Sequence, residues 1–172
     1  MDFMSISIEN EKLLLVPISL QYKEDIFREF NNSITTYMYP KPPEKIKETE
    51  DFINDSLENM GLGTNIQLVI LKKDTKEFLG CIGLHKIDTK TPELGLWLKK
   101  KAWGNRYGID SIKLLVEWAR TNIQYDYFKY PVDRRNIASR RIPEHFGAEI
   151  KDEFKCVGAN GNPLDILEYY FR

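Results

Sequence analysis

ELGLWLKKKAWGNRYG, residues 93–108, is the stretch of this sequence that decides the fold. Its first six residues are mostly apolar and strand-like, and its end contains two glycines. The following segment repeats apolar residues at helical spacing, namely Ile109, Ile112, Val116 and Ala119. The pattern therefore predicts a strand over 93–98, a loop, and an amphipathic helix over roughly 107–122.

The junction between this loop and the helix is suited to an anion. The first backbone N–H groups of a helix have no partner inside it, point outward together and carry partial positive charge. A diphosphate satisfies that geometry, and glycines let it approach the backbone closely. Gly104 and Gly108 could equally serve a tight turn, so their spacing alone leaves both interpretations open.

Strand and helix patterns alternate along the rest of the chain. Further strands are predicted at about 12–17, 66–71, 78–85, 127–132, 149–156 and 164–171, and a helix over Ile137–His145. Ser19 is expected to cap a first helix, and Gly61 to close a second one that carries Ile53 and Met60. Interleaved helices and strands predict an α/β fold, with one domain over residues 1–172.

Composition excludes several functional classes. Lys plus Arg total 25 and Asp plus Glu total 26, which gives no electrostatic basis for a dedicated nucleic-acid binder. No apolar run is long enough to cross a membrane, and residues 1–10 do not read as a signal peptide. Cys81 and Cys156 do not make a disulfide framework. We therefore expect a soluble cytoplasmic protein.

Several segments, in their order along the chain, resemble the GNAT superfamily of acetyltransferases. In particular, they resemble the branch that contains the ribosomal-protein N-terminal acetyltransferases. The segments are Leu15-Val16-Pro17, Phe78 to Leu84, Glu93 to Leu98, and Asn136-Ile137-Ala138-Ser139-Arg140-Arg141-Ile142 followed by Phe146-Gly147. The resemblance spans nearly the whole chain. It implies a mixed, mostly antiparallel sheet that splays open at its middle and is flanked by helices. It also implies direct transfer of an acetyl group from acetyl-CoA to a primary amine.

The resemblance also assigns cofactor-binding residues. The pantetheine arm is expected along the strand residues Leu96, Trp97 and Leu98, with Asn136 and Ser139 near the arm and its thiol. The pyrophosphate is expected on Gly104, Asn105, Arg106, Tyr107, Gly108 and Ile109. Arg106 departs from the family, which normally has glycine there. Its side chain could crowd the pyrophosphate, or swing aside and add a positive charge, and we expect binding to be retained.

Acetyl transfer needs a neutral amine, stabilisation of an oxyanion and a proton for the leaving thiolate. The resemblance assigns the oxyanion to the N–H of Leu98 and the proton to Ser139, although such a serine could simply bond the helix backbone. Glu93 could accept the amine's proton directly or through water, or be a solvent-facing carboxylate. A tyrosine found on this helix in many related enzymes is replaced by Pro143.

Other functions remain as alternatives. Cys81 and His85 share a strand face, but two ligands do not make a metal site, and none is expected. The acceptor is either a protein N-terminus or a small amine, bound largely by the first two helices, and a homodimer is one assembly open to the chain. Arg106 and the missing tyrosine would also suit a non-catalytic acyl-CoA-binding module on the same fold. A third alternative is a ribosome-associated protein that uses the arginines at 134, 135, 140 and 141.

Overall fold

Eight strands form one sheet in the computed structural model, which describes residues 1–172. They are β1 Ile8–Glu9, β2 Leu13–Pro17, β3 Ile66–Lys72, β4 Phe78–His85, β5 Glu93–Leu98, β6 Phe128–Asp133, β7 Glu149–Val157 and β8 Pro163–Phe171. Their order across the sheet is β1-β2-β3-β4-β5-β6-β8-β7, and every neighbouring pair is antiparallel except β5 and β6. The prediction of a mixed, mostly antiparallel α/β sheet is confirmed.

Helices cover both faces of the sheet. They are α1 Lys23–Glu29, α2 Asn32–Thr35, α3 Ile46–Leu62, α4 Tyr107–Asn122 and α5 Ile137–His145. The larger core joins α4 and α5 to one face through residues such as Ile112 and Ile142, while Ile26 of α1 and Ile53 of α3 pack on the opposite face. None of the helices is both long and apolar enough to cross a membrane.

The sheet opens between β5 and β6. These strands pair only at Glu93 and Lys129, where the Lys129 N–H donates to Pro92 O at 2.9 Å. The N–H of residue 129 points toward β5. Because alternate residues of a strand point their N–H groups the same way, residue 131 would supply the next N–H toward β5. That residue is Pro131, which has no N–H to donate. The sequence thus lacks the donor that would extend the ladder at the point where the strands separate.

Two predicted helix boundaries are wrong, because an extra turn precedes the first helix and a later glycine ends the second. Ser19 precedes a short 3₁₀ turn over Leu20–Tyr22, its side chain makes no capping bond, and α1 begins only at Lys23. The second helix passes through Gly61 and ends at Gly63, whose φ of 74° is left-handed and favours glycine. The short elements β1 and α2 were not predicted, because two and four residues carry too little periodicity.

Candidate active site

The open edge of β5 presents unused backbone groups. The N–H of Lys99 donates to Leu79 O at 2.8 Å, which fixes the alternation of the β4–β5 ladder. Leu96 and Leu98 therefore turn their N–H and C=O groups away from β4, toward the opening. One of these groups is taken, because the indole Nε1 of Trp103 donates to Leu98 O at 2.9 Å. The N–H of Leu98 and both backbone groups of Leu96 face the opening.

A second set of unpartnered donors lies in the loop between β5 and α4. The backbone N–H groups of residues 104–109 make no hydrogen bond within the protein. Gly104 has a φ of 82°, and Arg106, which is exposed, has a φ of 63°, so both occupy the left-handed region. The Asn105 side-chain amide donates to Ala102 O and Trp103 O, each at 3.2 Å, and closes the turn. The loop therefore holds six consecutive donors at the positive end of a helix dipole.

Gly108 brings the N-terminus of α4 against both β5 and α5. A Cβ at this position would lie 2.9 Å from Cδ1 of Ile142 and 3.6 Å from Cδ1 of Leu96. Tyr107 and Ile109 beside it are partly buried against the larger core. Close packing therefore accounts for this glycine, and the same packing sets the unpartnered donors beside the open edge of β5.

The first turn of α5 reaches the same opening. The Asn136 side chain caps the helix by accepting the N–H of Ser139 at 3.2 Å. The Ser139 hydroxyl lies 2.8 Å from the hydroxyl of Tyr130 on β6. Tyr130 is buried, and burial raises the pKa of its phenol, so the phenol stays protonated. Sequence analysis missed Tyr130, because the tyrosine was sought on the helix rather than on the strand beneath it.

Asp133 holds the turn between β6 and α5. Its buried carboxylate accepts bonds from the backbone N–H and the guanidinium of Arg135, and from the N–H of Asp165, all within 3.0 Å. Burial alone would raise the pKa of Asp133, but these bonds outweigh it and lower the pKa to about 2.

Three of the four arginines in this region serve as internal ion-pair partners. Arg134 pairs with Glu153 and Asp165, Arg135 with Asp133, and Arg140 with Glu144. Of the cluster, only Arg141 makes no ion pair.

A cavity of about 440 Å³ lies on the face of the sheet that packs against α1 and α3. Gly83 of β4 and Gly95 of β5 oppose each other across the two strands and form its floor. Trp97 stands at one end of this floor, packed on Phe30 with ring centroids 4.9 Å apart. Trp97 thus differs from Leu96 and Leu98, because its backbone faces β4 and its side chain lines the cavity rather than the open edge.

His85 stands at the other end of the glycine floor, directly across from Glu93. Burial lowers the pKa of His85, although the charge of Glu93 opposes this shift, so the imidazole is neutral at neutral pH. Glu93 does not line the cavity and forms an ion pair with Lys86 at 2.8 Å. The sequence pattern did not indicate His85 as a base, and no cluster of three or more metal-binding side chains occurs in the structure.

The predicted site residues thus fall into two groups. Those on the open edge, the loop and α5 converge around the separation of β5 and β6, where Gly108 packs against Leu96 and Ile142. Glu93 and the side chain of Trp97 lie on the opposite face with the cavity. The opening connects the two groups, because it is the only gap in the pairing of the central strands.

Comparison with known proteins agrees with this architecture. Residues 12–149 match the family model described as an acetyltransferase (GNAT) domain. The uncharacterized N-acetyltransferase YoaA of Bacillus subtilis (strain 168) is 26% identical over 166 residues, which cover 94% of each chain.

Two solved structures share the fold at low sequence identity. The spermidine N-acetyltransferase from Vibrio cholerae, in complex with CoA and spermine, has a TM-score of 0.81 at 17% identity, covering 94% of this chain and 96% of that one. RimL, the ribosomal L7/L12 alpha-N-protein acetyltransferase, in complex with coenzyme A, has a TM-score of 0.81 at 15% identity, covering 96% and 97%. With most of its length matched by the family model, the chain belongs to the GNAT acetyltransferases, which use acetyl-CoA as their co-substrate.

Proposed function

We propose that this protein transfers the acetyl group of acetyl-CoA directly to a primary amine that enters from the cavity face of the sheet. The observation that carries the proposal is the meeting of two sets of unpartnered backbone groups, on the edge of β5 and in residues 104–109. An extended arm with amide groups fits the strand edge, and a diphosphate fits the helix start. The residues present therefore suit acetyl-CoA.

Ser139 supplies the proton for the leaving thiolate. The buried Tyr130 hydroxyl makes its one hydrogen bond to Ser139 Oγ, and a buried O–H needs an acceptor, so Tyr130 donates to Ser139. The Ser139 proton is then left for another acceptor. Asn136 fixes the position of Ser139 through the helix cap.

His85 fits the role of proton acceptor better than Glu93, which was predicted from the sequence. Its neutral imidazole lines the cavity, whereas the carboxylate of Glu93 is engaged by Lys86. In the transfer, the amine nitrogen bonds to the acetyl carbon, the carbon–sulfur bond breaks, the amine proton passes to His85 and the thiolate takes the proton of Ser139. The proton on the imidazolium then returns through solvent to Ser139, which restores both residues. Glu93, across the strand pair, favours the imidazolium that forms.

The first experiment is thermal unfolding with acetyl-CoA, followed by a thiol-release assay with a panel of amines. A ligand that binds only the folded state adds about 2.7 kcal/mol of stability at a hundredfold excess over Kd. If millimolar acetyl-CoA leaves the unfolding temperature unchanged, the protein does not bind this cofactor. A shift without turnover on any amine, protein N-termini included, favours the acyl-CoA-binding module instead.

The choice of base is tested by two matched amide variants. His85→Gln should lower kcat about 10²-fold or more, the scale of general base catalysis, without changing the acetyl-CoA shift. Glu93→Gln should have a smaller effect on kcat and should move the acidic limb of the pH–rate profile to lower pH, because Glu93 raises the pKa of His85. A larger loss of kcat in Glu93→Gln than in His85→Gln would identify Glu93 as the base.

A further inference from the structure

The charge of the cavity restricts the acceptor. The only carboxylate in its lining is that of Glu48, and Oε2 of Glu48 accepts the backbone N–H groups of Glu44 at 2.6 Å and Lys45 at 2.8 Å. Glu48 therefore caps the start of α3 through Oε2. The other formal charge in the lining is the cation Lys41. With one carboxylate, whose Oε2 is committed to the helix cap, and one cation, the lining offers a polyamine few partners for its additional ammonium groups.

The shape of the cavity restricts the acceptor further. Aromatic rings of Phe30, Phe52 and Trp97 form part of the walls, and Pro40 and Pro42 cover it from the loop before α3. A volume of about 440 Å³ lies in the range of roughly 300–1,000 Å³ that holds small molecules. The walls therefore suit a compact apolar body that packs against aromatic faces.

The glycine floor provides the space directly above the strands. A Cβ on Gly95 would meet no atom within 4 Å, so this glycine leaves an open volume where any other residue would project a side chain. A Cβ on Gly83 would come within 2.7 Å of His85 Nε2 and 2.9 Å of Gln67 Oε1, so that glycine lets the imidazole and the amide lie close to the floor. Glycine weakens a strand interior. At Gly83 its use is explained by the His85 and Gln67 side chains that lie over it, and at Gly95 by a ligand that approaches the backbone.

We propose that the acceptor is a small monoamine with an apolar body of aromatic size. It binds in the open space over Gly95, with its amino group toward His85 and its apolar body against Trp97 and Phe30. This inference rests on the acetyltransferase function proposed above and names the substrate class of the same site.

The test compares three probes: phenethylamine, spermidine and a short unblocked peptide with an N-terminal serine. Each kcat/KM is expressed per neutral amine, because the pKa of a peptide α-amine lies about two units below that of an alkylamine. We expect kcat/KM for phenethylamine to exceed that for the other two by at least about tenfold. A preference for spermidine or for the peptide overturns the inference but leaves the acetyltransferase function standing. Absence of both an acetyl-CoA shift and turnover overturns the two together, and an acetyl-CoA shift without acetylation of any probe overturns the inference.

A matched pair of glycine variants locates the site. Gly95→Ala adds one methyl group in the open space of the cavity, and Gly61→Ala adds one in open space on α3, outside the cavity. Gly95→Ala should raise KM for phenethylamine about tenfold while leaving the acetyl-CoA shift unchanged, and Gly61→Ala should alter neither. If Gly95→Ala and the unmodified protein have equal KM values for the amine, the amine does not bind over Gly95.

Discussion

The hydroxyl oxygen of Tyr130 lies 2.8 Å from Oγ of Ser139 and joins strand β6 to the first turn of α5. Tyr130 is only 2% exposed, and burial keeps its phenol protonated by raising its pKa. In the proposed mechanism the phenol donates this bond, so that Ser139 accepts from Tyr130 and can donate to a second group. Tyr130 is thus a positioning residue for Ser139.

Ser139→Ala should lower kcat by about 10²–10⁴-fold with a smaller change in KM for acetyl-CoA, because protonation of the thiolate occurs in the transition state. Tyr130→Phe should cost about 2–10-fold in kcat, the scale of one neutral hydrogen bond. Steady-state kinetics of both variants test the assignment. Unchanged kcat with weaker cofactor binding in Ser139→Ala would leave the serine with a structural role, and an equal loss in both variants would make Tyr130 the donor.

Much of the fold could be predicted because its main elements have strong local patterns. The strand β5, the helix α4 and the helix α5 have the predicted bounds Glu93–Leu98, Tyr107–Asn122 and Ile137–His145. Helix ends were less predictable. Gly61 and Gly63 lie two residues apart, and only the backbone conformation, with φ at 74° for Gly63, decides which glycine ends the helix.

The site residues that sequence analysis missed are defined by contacts between distant segments. His85 becomes a candidate base only when Gly83, Gly95 and the cavity beneath α3 are in place. Tyr130 and Ser139 are nine residues apart, on a strand and a helix, with no periodicity that links them. The period-2 pattern of β4 places Cys81 and His85 on one face, but it does not reveal that this face is left uncovered at Gly95 on the next strand.

Asp133→Asn should change how stability depends on pH. The carboxylate of Asp133 has a pKa of about 2, below its ordinary value of 3.8, so it contributes stability above about pH 4 that is lost as the pH falls through 2. The shift corresponds to about 2 kcal/mol. Urea unfolding between pH 5 and pH 2 should show this loss in the unmodified protein and not in Asp133→Asn.

A control for that experiment is Asp88→Asn, since Asp88 is exposed and forms no ion pair. Its unfolding free energy should follow the pH dependence of the unmodified protein. If Asp133→Asn also retains the full loss between pH 5 and pH 2, another carboxylate is responsible for it.

Trp103→Phe should weaken acetyl-CoA binding about 2–10-fold, because it removes the indole N–H that donates to Leu98 O at 2.9 Å and ties the loop to the open edge of β5. Trp103 is 49% exposed, so the fold should tolerate the change. Isothermal titration with CoA measures the effect. Trp118→Phe, on α4, is the control, since Trp118 contacts Phe3 and its indole N–H makes no hydrogen bond. If Trp103→Phe binds CoA as tightly as the unmodified protein or more tightly, the hydrogen bond from the indole to Leu98 O does not contribute to CoA binding.

Arg106→Gly distinguishes the contribution of the backbone of residues 104–109 from that of the Arg106 side chain. Arg106 has a φ of 63°, a left-handed conformation that costs a residue with a Cβ about 1 kcal/mol more than glycine. The glycine variant should therefore be more stable without ligand. Lys76→Gly is the matched control, because Lys76 has a φ of 62° in the turn between β3 and β4 and lies outside the site.

The two variants should then differ in CoA binding. The Arg106 side chain is exposed and makes no ion pair, so it is available to a phosphate oxygen beside the N–H groups of residues 104–109. Its loss should weaken CoA binding by about 1.5–3 kcal/mol, the scale of a charge-assisted hydrogen bond, and flatten the salt dependence of Kd. Lys76→Gly should gain stability with unchanged Kd. Titrations with CoA at two ionic strengths measure Kd and its salt dependence. Tighter binding by Arg106→Gly would show that the arginine obstructs the site it borders.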